Sequence, residues 1–300
     1  MRAAVTGGAG FIGSHLVDAL VARGDEVHVV DSLATGRREN LSASATLHER
    51  DVREPLADLF DQVRPDCVFH LAAQADVGTS VEQPQLDAEV NVLGTLRVLE
   101  AARRHDAALV FSSTGGAIYG ECAEPASEGA ERRPLSPYGT SKLAGEEYLA
   151  TWNRLYGTRH VALRFANVYG PRQLAKLEGG VVAIFMDRLR AGEQATIFGD
   201  GGQERDFVYV GDVVAALLAA AGGDAGTYNI GTGIATSVNE LWRLCTNAAG
   251  SQAEAEHDDP RPGELLRSVL DVSRARSGLG WEPRVPLDRG LRETWESRAA

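Results

Sequence analysis

The sequence predicts an α/β fold in which a doubly wound parallel sheet forms the larger domain and a smaller, partly interleaved C-terminal domain follows it. Three observations support this prediction. Short apolar runs alternate with longer segments of helical spacing through the first half of the chain, which is typical of a parallel sheet covered by helices on both faces. A glycine-rich turn joins the first apolar run to the first helical segment. After about Asn167 the alternation gives way to shorter segments and glycine-rich connections.

The elements follow from the spacing of apolar residues along the chain. The predicted strands are Ala3–Val5, Val27–Val30, Cys67–His70, Leu109–Ser112 and Val161–Phe165. The predicted helices are Phe11–Arg23, Pro55–Val63, Asp87–His105 and Tyr138–Tyr156. We expect residues 1–168 to form the first domain, with a segment at about 207–232 returning to it, and residues 169–206 and 233–300 to form the second.

The composition excludes several classes of protein. A net charge of −12 argues against a nucleic-acid-binding protein, because such proteins gather Lys and Arg on one face. The 3 cysteines are far apart and the 7 histidines show no ligand spacing, so neither a disulfide framework nor a metal site is predicted. No apolar run approaches the ~20 residues that span a bilayer, and no signal peptide is recognised. We therefore expect a cytoplasmic protein without membrane or nucleic-acid partners.

The turn after the first strand carries Gly7, Gly10 and Gly13. On its own this spacing could mark only a tight strand–helix turn, but it also lets a backbone approach a pyrophosphate, which then meets the free N–H groups at the helix start. The second strand leads into Asp31, eighteen residues after Gly13. A carboxylate there accepts hydrogen bonds from an adenosine ribose and repels a 2′-phosphate. The sequence therefore predicts a Rossmann dinucleotide site that favours NAD over NADP.

Ser136 and Pro137 are typical of a helix start, which places Tyr138 and Lys142 one turn apart on the same helical face. Such a pair is often only a solvated helix face. Tyrosine titrates near pH ~10 in water and is a poor base at neutral pH. A lysine ammonium and a positively charged nicotinamide nearby would favour the phenolate, so Tyr138 could remove a proton from a substrate hydroxyl.

Hydroxyl side chains end the fourth predicted strand, at the sheet edge where ligands bind in such folds. Thr114, or failing that Ser113, could hydrogen-bond the reacting oxygen and relay its proton. The alternative is that both hydroxyls only satisfy backbone groups at the strand end.

Together these residues resemble the extended short-chain dehydrogenase/reductase family, and within it the branch of UDP-glucose (UDP-galactose) 4-epimerases. The resemblance covers nearly the whole chain. Beyond the glycine loop, it is carried by the segments that begin at Asp31, Asp51, His70, Asn91, Tyr138, Arg164 and Arg205.

The resemblance implies an NAD site built from several segments. Phe11 and Ile12 would lie along the pyrophosphate, and Asp51 and Val52 would contact adenine. The residues expected around the adenosine ribose are Asp31, Ser32, Leu33, Ala34, Thr35 and Gly36. Those expected on the nicotinamide side are Leu71, Ala72, Ala73, Gln74 and Asn91, with Tyr138 and Lys142, the latter also holding the nicotinamide ribose.

The resemblance also implies a UDP-sugar substrate. Asn167, Arg205 and Arg261 match positions that hold the diphosphate, which agrees with the paired donors that guanidinium groups offer to phosphate. Val181, Thr196 and Phe198 match positions at the uridine, and Thr114 would contact the sugar. Some members place a tyrosine seven residues after the position of Arg261; Ser268 stands there, and we expect it to leave room for N-acetylhexosamines.

The implied reaction is epimerisation at C4. Tyr138 would deprotonate the 4-hydroxyl as hydride passes to NAD, the keto sugar would turn over, and hydride and proton would return to the other face. Dehydratases of the family carry an Asp-Glu pair after the hydroxyl, whereas Gly115 and Gly116 stand here. A dehydratase or decarboxylase of the same family is the alternative enzyme, and a catalytically silent NAD-binding sensor is the alternative of another class. A homodimer is expected through the helices Asp87–His105 and Tyr138–Tyr156.

Overall fold

The computed structural model describes residues 1–175, 180–261 and 263–297. The last three residues of the predicted second domain lie outside the described residues. The strands are β1 (Arg2–Thr6), β2 (Glu26–Asp31), β3 (Thr46–Glu49), β4 (Cys67–His70), β5 (Ala108–Thr114), β6 (Val161–Phe165), β7 (Asn167–Tyr169), β8 (Thr196–Phe198), β9 (Glu204–Arg205), β10 (Phe207–Tyr209), β11 (Gly226–Ile230), β12 (Thr236–Ser237), β13 (Glu256–Asp258) and β14 (Arg267–Ser268).

The α-helices are α1 (Phe11–Ala22), α2 (Ala57–Val63), α3 (Val77–Glu82), α4 (Pro84–Ala88), α5 (Gly94–Arg103), α6 (Gly115–Ile118), α7 (Pro137–Tyr156), α8 (Val181–Ala191), α9 (Val210–Ala220), α10 (Val238–Ala249), α11 (Ser273–Leu279) and α12 (Leu287–Ser297). A 3₁₀ turn covers Arg38–Asn40, and a π-helical turn, Glu89–Leu93, joins α4 to α5. In the described ranges, no helix combines the length and apolarity that a membrane span requires.

The central sheet has seven strands in the order β11-β6-β5-β4-β1-β2-β3, and every neighbouring pair runs parallel. The chain builds outward from β1 through β2 to β3, then crosses to β4 on the other side of β1. In such sheets the crevice at the carboxyl ends of the strands, where the order reverses, is the usual ligand site. The doubly wound α/β fold predicted from the sequence is thereby confirmed.

The residues at the start of α1 and α7, the two helices that carry predicted site residues, explain where each helix begins. Helix α1 follows Gly10 without a side-chain cap, so its first N–H groups are left to other partners. Helix α7 starts at Pro137, and the hydroxyl of the N-cap Ser136 accepts the Gly139 N–H at 3.2 Å. It ends at Gly157, whose φ of 65° is the left-handed conformation that glycine adopts readily. The predicted start of α7 is confirmed.

One predicted helix is interrupted. The sequence predicts a continuous helix over Asp87–His105, but the structure inserts the π-helical turn between α4 and α5. The Thr95 hydroxyl donates to the Asn91 carbonyl at 2.6 Å, inside this turn. Such turns place one extra residue in the helix and are frequent at functional sites.

Two strands of the central sheet were not predicted. β3 is an edge strand of mostly polar residues, exposed at both ends and half-buried between them, so it has no apolar run. β11 begins with a glycine and contains Asn229, yet it pairs with β6 along its whole length. The pairing brings residues 226–230 back beside the first part of the chain, while the division into two domains stays a prediction.

Apolar side chains form three clusters. Successive residues of a strand point to opposite faces of a sheet, so Val5 and Phe69 pack on one face and Ala4 and Val68 on the other. A third cluster lies among α8, α10 and α12, where the Phe185 and Trp242 rings meet edge to face at 5.0 Å. Short strand pairs, β7 with β10 and β8 with β13, and the trio β12-β9-β14 join this part to the central sheet.

Candidate active site

A cleft of about 930 Å³ runs along the carboxyl ends of the central strands. The predicted residues that line it are Gly7, Gly10, Phe11, Ile12, Gly13, Asp31, Ser32, Ala34, Thr35, Gly36, Asp51, Val52, Leu71, Ala72, Ala73, Gln74, Ser113, Thr114, Tyr138, Lys142, Asn167, Val181, Thr196, Phe198 and Arg261. Leu33, Asn91, Arg205 and Ser268 do not line it. The fold therefore brings most of the predicted site into one cavity, from both ends of the chain.

The glycine loop is shaped so that its backbone faces the cleft. Gly7 has a φ of +71°, and a Cβ there would lie 2.6 Å from the Ala72 nitrogen. A Cβ on Gly13 would lie 2.1 Å from the Gly7 carbonyl oxygen, closer than real contacts allow. The first-turn residues of α1 line the cleft at this point, and first-turn N–H groups have no partner within their helix. These residues fit the pyrophosphate of a dinucleotide.

Asp31 is held in place by backbone donors. It is 8% exposed, and its two carboxylate oxygens accept the N–H groups of Ala9 at 2.9 Å and Leu33 at 2.8 Å. A carboxylate has about four acceptor sites, which leaves capacity for ribose hydroxyls on its cleft side. Leu33, predicted to line the ribose, instead adopts a φ of 57° and serves the site by donating its N–H. A 2′-phosphate would need a cation near Asp31, and Arg38, seven residues further along the chain, is paired with Glu49 at 2.7 Å.

The predicted adenine end carries more charge than the sequence motif suggested. The Arg53 guanidinium donates to both carboxylate oxygens of Asp51, the shortest contact being 2.7 Å, and this hydrogen bonding lowers the pKa of Asp51. Arg50 and Arg53 both line the cleft. These two residues were not predicted, although they flank the predicted Asp51 and Val52.

Asn91 lies behind the nicotinamide side of the cleft, not on its wall as predicted. It is 1% exposed. Its amide oxygen accepts the Gln74 N–H at 2.9 Å, and its amide nitrogen donates to the Gln74 carbonyl at 2.9 Å and the Ser141 hydroxyl at 3.1 Å. The π-helical turn directs this side chain inward. Asn91 therefore holds the cleft-lining Gln74 against α7.

Tyr138 and Thr114 meet at the centre of the cleft. The Tyr138 ring is partly exposed to the cleft, while its hydroxyl is buried and hydrogen-bonded to the Thr114 side chain. Burial raises the pKa of Tyr138 to about 12, and the Thr114 hydrogen bond opposes the rise. The protein's own groups thus hold the proton on the phenol.

Lys142 is 2% exposed and fixed by the strand beneath it. Its ammonium donates to the Ser112 carbonyl at 2.9 Å and lies 4.9 Å from the centre of the Phe111 ring. Burial lowers the pKa of Lys142 to about 8, while the negative charges of Asp87 and Glu146 oppose this change. The ammonium is thus anchored on the end of β5.

The structure separates the two candidate hydroxyls. Consecutive residues of a strand face opposite sides, so Thr114 reaches Tyr138 whereas Ser113 points into the protein. The Ser113 hydroxyl donates to the Glu146 carboxylate at 2.5 Å, and Glu146 in turn accepts two nitrogens of Arg164 at 2.9 and 2.6 Å. Ser113 was a candidate for direct contact with substrate, but its proton is already committed to Glu146.

The two glycines after Thr114 are closely surrounded by other residues. A Cβ on Gly116 would lie 3.2 Å from the Asn167 amide oxygen and 3.9 Å from the Thr114 hydroxyl. The other glycine, Gly115, packs against Leu270, and a Cβ on Gly115 would lie 2.5 Å from a methyl carbon of that leucine. Neither position offers an acid to the site.

The far end of the cleft carries Asn167, Val181, Thr196, Phe198 and Arg261 as predicted. The Arg261 guanidinium lies 3.8 Å from the centre of the Phe198 ring, within the range of a cation–π contact. This combination suits a planar base beside a phosphate group.

Arg205 and Ser268 lie beside the cleft and not on its wall. The two residues pair across β9 and β14. The Arg205 guanidinium donates to the Glu204 carbonyl at 2.8 Å and lies 3.5 Å from the Glu264 carboxylate. Glu264 does line the cleft and follows Arg261 by three residues, a proximity that could have identified it. Strand pairing, which the sequence did not reveal, keeps Ser268 away from the wall.

Further lining residues had no signal in the sequence, among them Asp76, Thr79, Gln173, Ile184 and Gln203. Each stands outside the recognised motifs. In the part of the chain that the structure describes, no group of three His, Cys, Asp or Glu side chains is arranged to hold a metal ion.

Comparison with known proteins places the chain in one family. Residues 3–231 match the family described as NAD dependent epimerase/dehydratase. The UDP-glucose 4-epimerase of Mycolicibacterium smegmatis is 46% identical over 307 residues, covering 99% of this chain and 98% of that protein.

Two solved structures share the whole fold. The UDP-glucose 4-epimerase of Thermotoga maritima, solved with UDP-glucose, has a TM-score of 0.97 and 46% identity, covering 100% of this chain and 99% of its own. The UDP-glucose 4-epimerase of Thermus thermophilus, solved in complex with NAD, has a TM-score of 0.95 and 47% identity over 100% of both chains. From its sequence, its fold and its cleft, this chain belongs to the NAD-dependent epimerase/dehydratase family, within the extended short-chain dehydrogenases/reductases.

Proposed function

We propose that the protein is an NAD-dependent UDP-sugar 4-epimerase that interconverts UDP-glucose and UDP-galactose by transient oxidation at C4. The observation that carries the proposal is the contact between Thr114 and Tyr138 in a cleft that joins a dinucleotide loop to Arg261. The similarity to UDP-glucose 4-epimerases over nearly the whole chain supports the same reaction.

Tyr138 is the proposed base and acid of the reaction. Its phenolate takes the proton of the sugar 4-hydroxyl and later returns it, and the Thr114 hydroxyl hydrogen-bonds the same oxygen so that the proton has a short path. Lys142, anchored on Ser112, supplies a positive charge near the phenolate and holds the nicotinamide ribose. When bound, NAD supplies the reversible hydride acceptor and a second positive charge that lowers the pKa of Tyr138.

The cofactor is held by groups that the chain has already positioned. The backbone of Gly7, Gly10 and Gly13 would receive the pyrophosphate and Asp31 the adenosine ribose. Asp51, Val52 and the 32–36 segment would surround the adenosine, and residues 71–74 the nicotinamide.

The sugar must be held at its nucleotide end and turn at its reacting end. Arg261 and Asn167 would hold the diphosphate, with Phe198, Thr196 and Val181 at the uridine. Gly116 adds no side chain of its own between Thr114 and Asn167, and both of these residues line the cleft where the sugar would turn. We assign Arg205 a supporting place through Glu264, since Arg205 does not line the cleft.

Dehydration is disfavoured because Gly115 and Gly116 stand where the acid pair of a dehydratase would be. A decarboxylase of the same family would release CO₂ from UDP-glucuronate, and a silent NAD-binding sensor would release no product at all. Tolerance of N-acetylated sugars was expected from Ser268, which lies off the cleft wall, so such tolerance would depend on other residues.

The test is product analysis with UDP-glucose, UDP-galactose, UDP-glucuronate and the two N-acetyl analogues, without added NAD. We expect interconversion at C4 that Tyr138→Phe abolishes. Tyr148→Phe, on the exposed face of the same helix, is the matched control and should retain activity. Loss of water or CO₂, or activity that survives in Tyr138→Phe, would contradict the proposal.

A homodimer is part of the proposal. The apolar residues Leu99 and Leu149 are buried within the chain's own core, so a dimer would use another face. On α7, Tyr148, Trp152 and Tyr156 stack edge to face at 6.0 and 5.8 Å, and Leu155 beside them is 65% exposed. Sedimentation should give a dimer that Leu155→Arg weakens, while Ile234→Arg, at another exposed position, leaves it intact.

The two-domain division and a cytoplasmic location complete the proposal. We assign NAD binding to residues 1–168 with the returning segment 207–232, and UDP-sugar binding to the rest. The cysteines Cys67, Cys122 and Cys245 are free thiols, which agrees with a reducing compartment. Cell fractionation would test the location.

A further inference from the structure

Asp87 is a buried carboxylate that the reaction described above does not use. Its side chain lies behind the cleft wall, in α4, and is 1% exposed. Burying a charge without partners is costly, so a carboxylate in this position needs a compensating role.

Two side-chain amides bind the same oxygen of Asp87. The Gln74 amide nitrogen donates to Oδ1 at 3.1 Å and the Asn91 amide nitrogen at 3.0 Å. Both donors are neutral. Asn91 also donates to the Ser141 hydroxyl at 3.1 Å, which ties this group to α7 one residue before Lys142. In the described ranges no Lys or Arg nitrogen lies within 4 Å of Asp87, since no salt bridge involves it.

Lys142 is a buried cation, just as Asp87 is a buried anion. Its ammonium is buried, and its hydrogen bond goes to the neutral Ser112 carbonyl. The nearest acid along α7 is Glu146, but Arg164 already pairs with it at 2.6 Å, both side chains being at most 4% exposed. Glu146 therefore shares its charge between Arg164 and Lys142, whereas Asp87 has no ion-pair partner of its own among the described residues.

We propose that Asp87 is a positioning residue whose charge, held by Gln74 and Asn91, balances Lys142 and sets the pH range in which Tyr138 and Lys142 have their working protonation states. It does not touch substrate. The role rests on the proposed function, in which Tyr138 is the base. The electrostatic direction agrees, because Asp87 raises the pKa of both Tyr138 and Lys142.

The other charged groups around the pair come from α3, the π-helical turn, β4, β6 and α5, and of these Glu82 of α3 and Glu89 of the turn are exposed. From β6 comes Arg164, which is neutralised by Glu146. From β4 comes His70, which is neutral because burial lowers its pKa to about 3. The N-cap of α3 brings Asp76, which lines the cleft and accepts from Thr79. β5 and α6 carry no charged residue, and the charged residues of α5 are Arg97, Glu100 and Arg103, the last two paired with each other at 3.0 Å.

The direction of the effect is fixed by the charge. A negative charge stabilises an ammonium and opposes a phenolate. Removing it lowers the pKa of Lys142 and that of Tyr138 together. Both limbs of a bell-shaped pH–rate profile would then move to lower pH, whereas a merely disordered site would lose activity at every pH without moving the limbs.

The experiment uses the NAD-bound protein and compares Asp87→Asn with wild type. The asparagine keeps an oxygen for the two amide donors and removes the charge. We expect both limbs of the kcat/KM profile to move down by about one pH unit. Asp87→Glu should restore the wild-type limbs. Glu89→Gln removes an exposed carboxylate two residues away and is the matched control, with unchanged limbs.

A second readout does not need catalysis. Ultraviolet titration of tyrosinate in the NAD-bound protein without sugar, after subtraction of the curve for Tyr138→Phe, should show Tyr138 ionising about one pH unit lower in Asp87→Asn. This readout separates the two proposals, because a protein that failed to epimerise UDP-sugars would still report it. Asp87→Ser, also neutral, replaces Asp87→Asn if the latter does not fold. Limbs and titration that stay at the wild-type pH would overturn the role of Asp87.

Discussion

Replacing Arg164 by methionine would leave the Glu146 carboxylate buried beside Ser113 without its cation. In the wild type, Arg164 gives Glu146 contacts of 2.6, 2.9 and 3.2 Å and donates to the Tyr119 hydroxyl at 2.6 Å. The side chains of Arg164 and Glu146 are 3% and 4% exposed, so water cannot replace the lost donors. Methionine fills much of the space, and the expected loss is therefore electrostatic.

We expect Arg164→Met to lower the free energy of unfolding by about 3–5 kcal/mol, the usual result of removing one partner of a buried pair. In urea unfolding followed by circular dichroism, this corresponds to a midpoint lower by roughly 1–2 M. Arg243→Met is the matched control, because Arg243 pairs with Glu240 at the surface with 59% and 44% exposure, and we expect it to leave the urea midpoint close to that of the wild type.

A second comparison isolates the charge. In Arg164→Met with Glu146→Leu both charges are gone, and such apolar replacements are often close to neutral. The double variant should therefore be more stable than Arg164→Met alone. The reasoning would be refuted by an Arg164→Met protein as stable as Arg243→Met, or by a double variant less stable than the single one.

The cleft and the strands beneath it give three further predictions. Gly13→Ala should weaken NAD binding in calorimetry by roughly 10- to 100-fold, because its Cβ would meet a backbone oxygen at 2.1 Å; Gly222→Ala, with nothing within 4 Å, should bind normally. Thr114→Ala should lower kcat about 100-fold or more, whereas Ser113→Ala should retain most activity and lose about 1–3 kcal/mol of stability; equal losses of kcat would contradict the separation of the two hydroxyls. Burial lowers the pKa of His70 from 6.5 to about 3, so the folded state binds fewer protons and stability falls as pH drops below 6.5, by about 1.6 kcal/mol between pH 6.5 and 5. His70→Gln should lose that much less stability over this interval in urea unfolding, and an identical loss would contradict the assignment.

Local signals were sufficient to predict the first half of the site. The turn at Gly7, Gly10 and Gly13, the acid at the end of β2 and the cap at Ser136 each depend on residues close together in the chain. Strands buried on both faces, such as β4 and β6, were predicted with their observed bounds because each begins with three consecutive apolar residues. The edge strand β3 was missed for the opposite reason, since three of its four residues are polar, none is fully buried, and its register comes only from pairing with β2.

What the sequence could not predict depends on contacts between distant residues. Ser113 and Thr114 are equivalent as letters, and only the pleat of β5 together with Glu146, 33 residues later, commits one to the ion pair and leaves the other to Tyr138. The environment of Lys142 also depends on distant residues. From the sequence, its ammonium is predicted to favour the Tyr138 phenolate. In the structure its ammonium donates to the end of β5 at Ser112. Burial raises the pKa of the phenol to about 12. Tyr138 therefore keeps its proton until a further positive charge, such as that of the nicotinamide, lowers its pKa. The buried Asp87 opposes this ionisation, and its charge sets how far the pKa must be lowered.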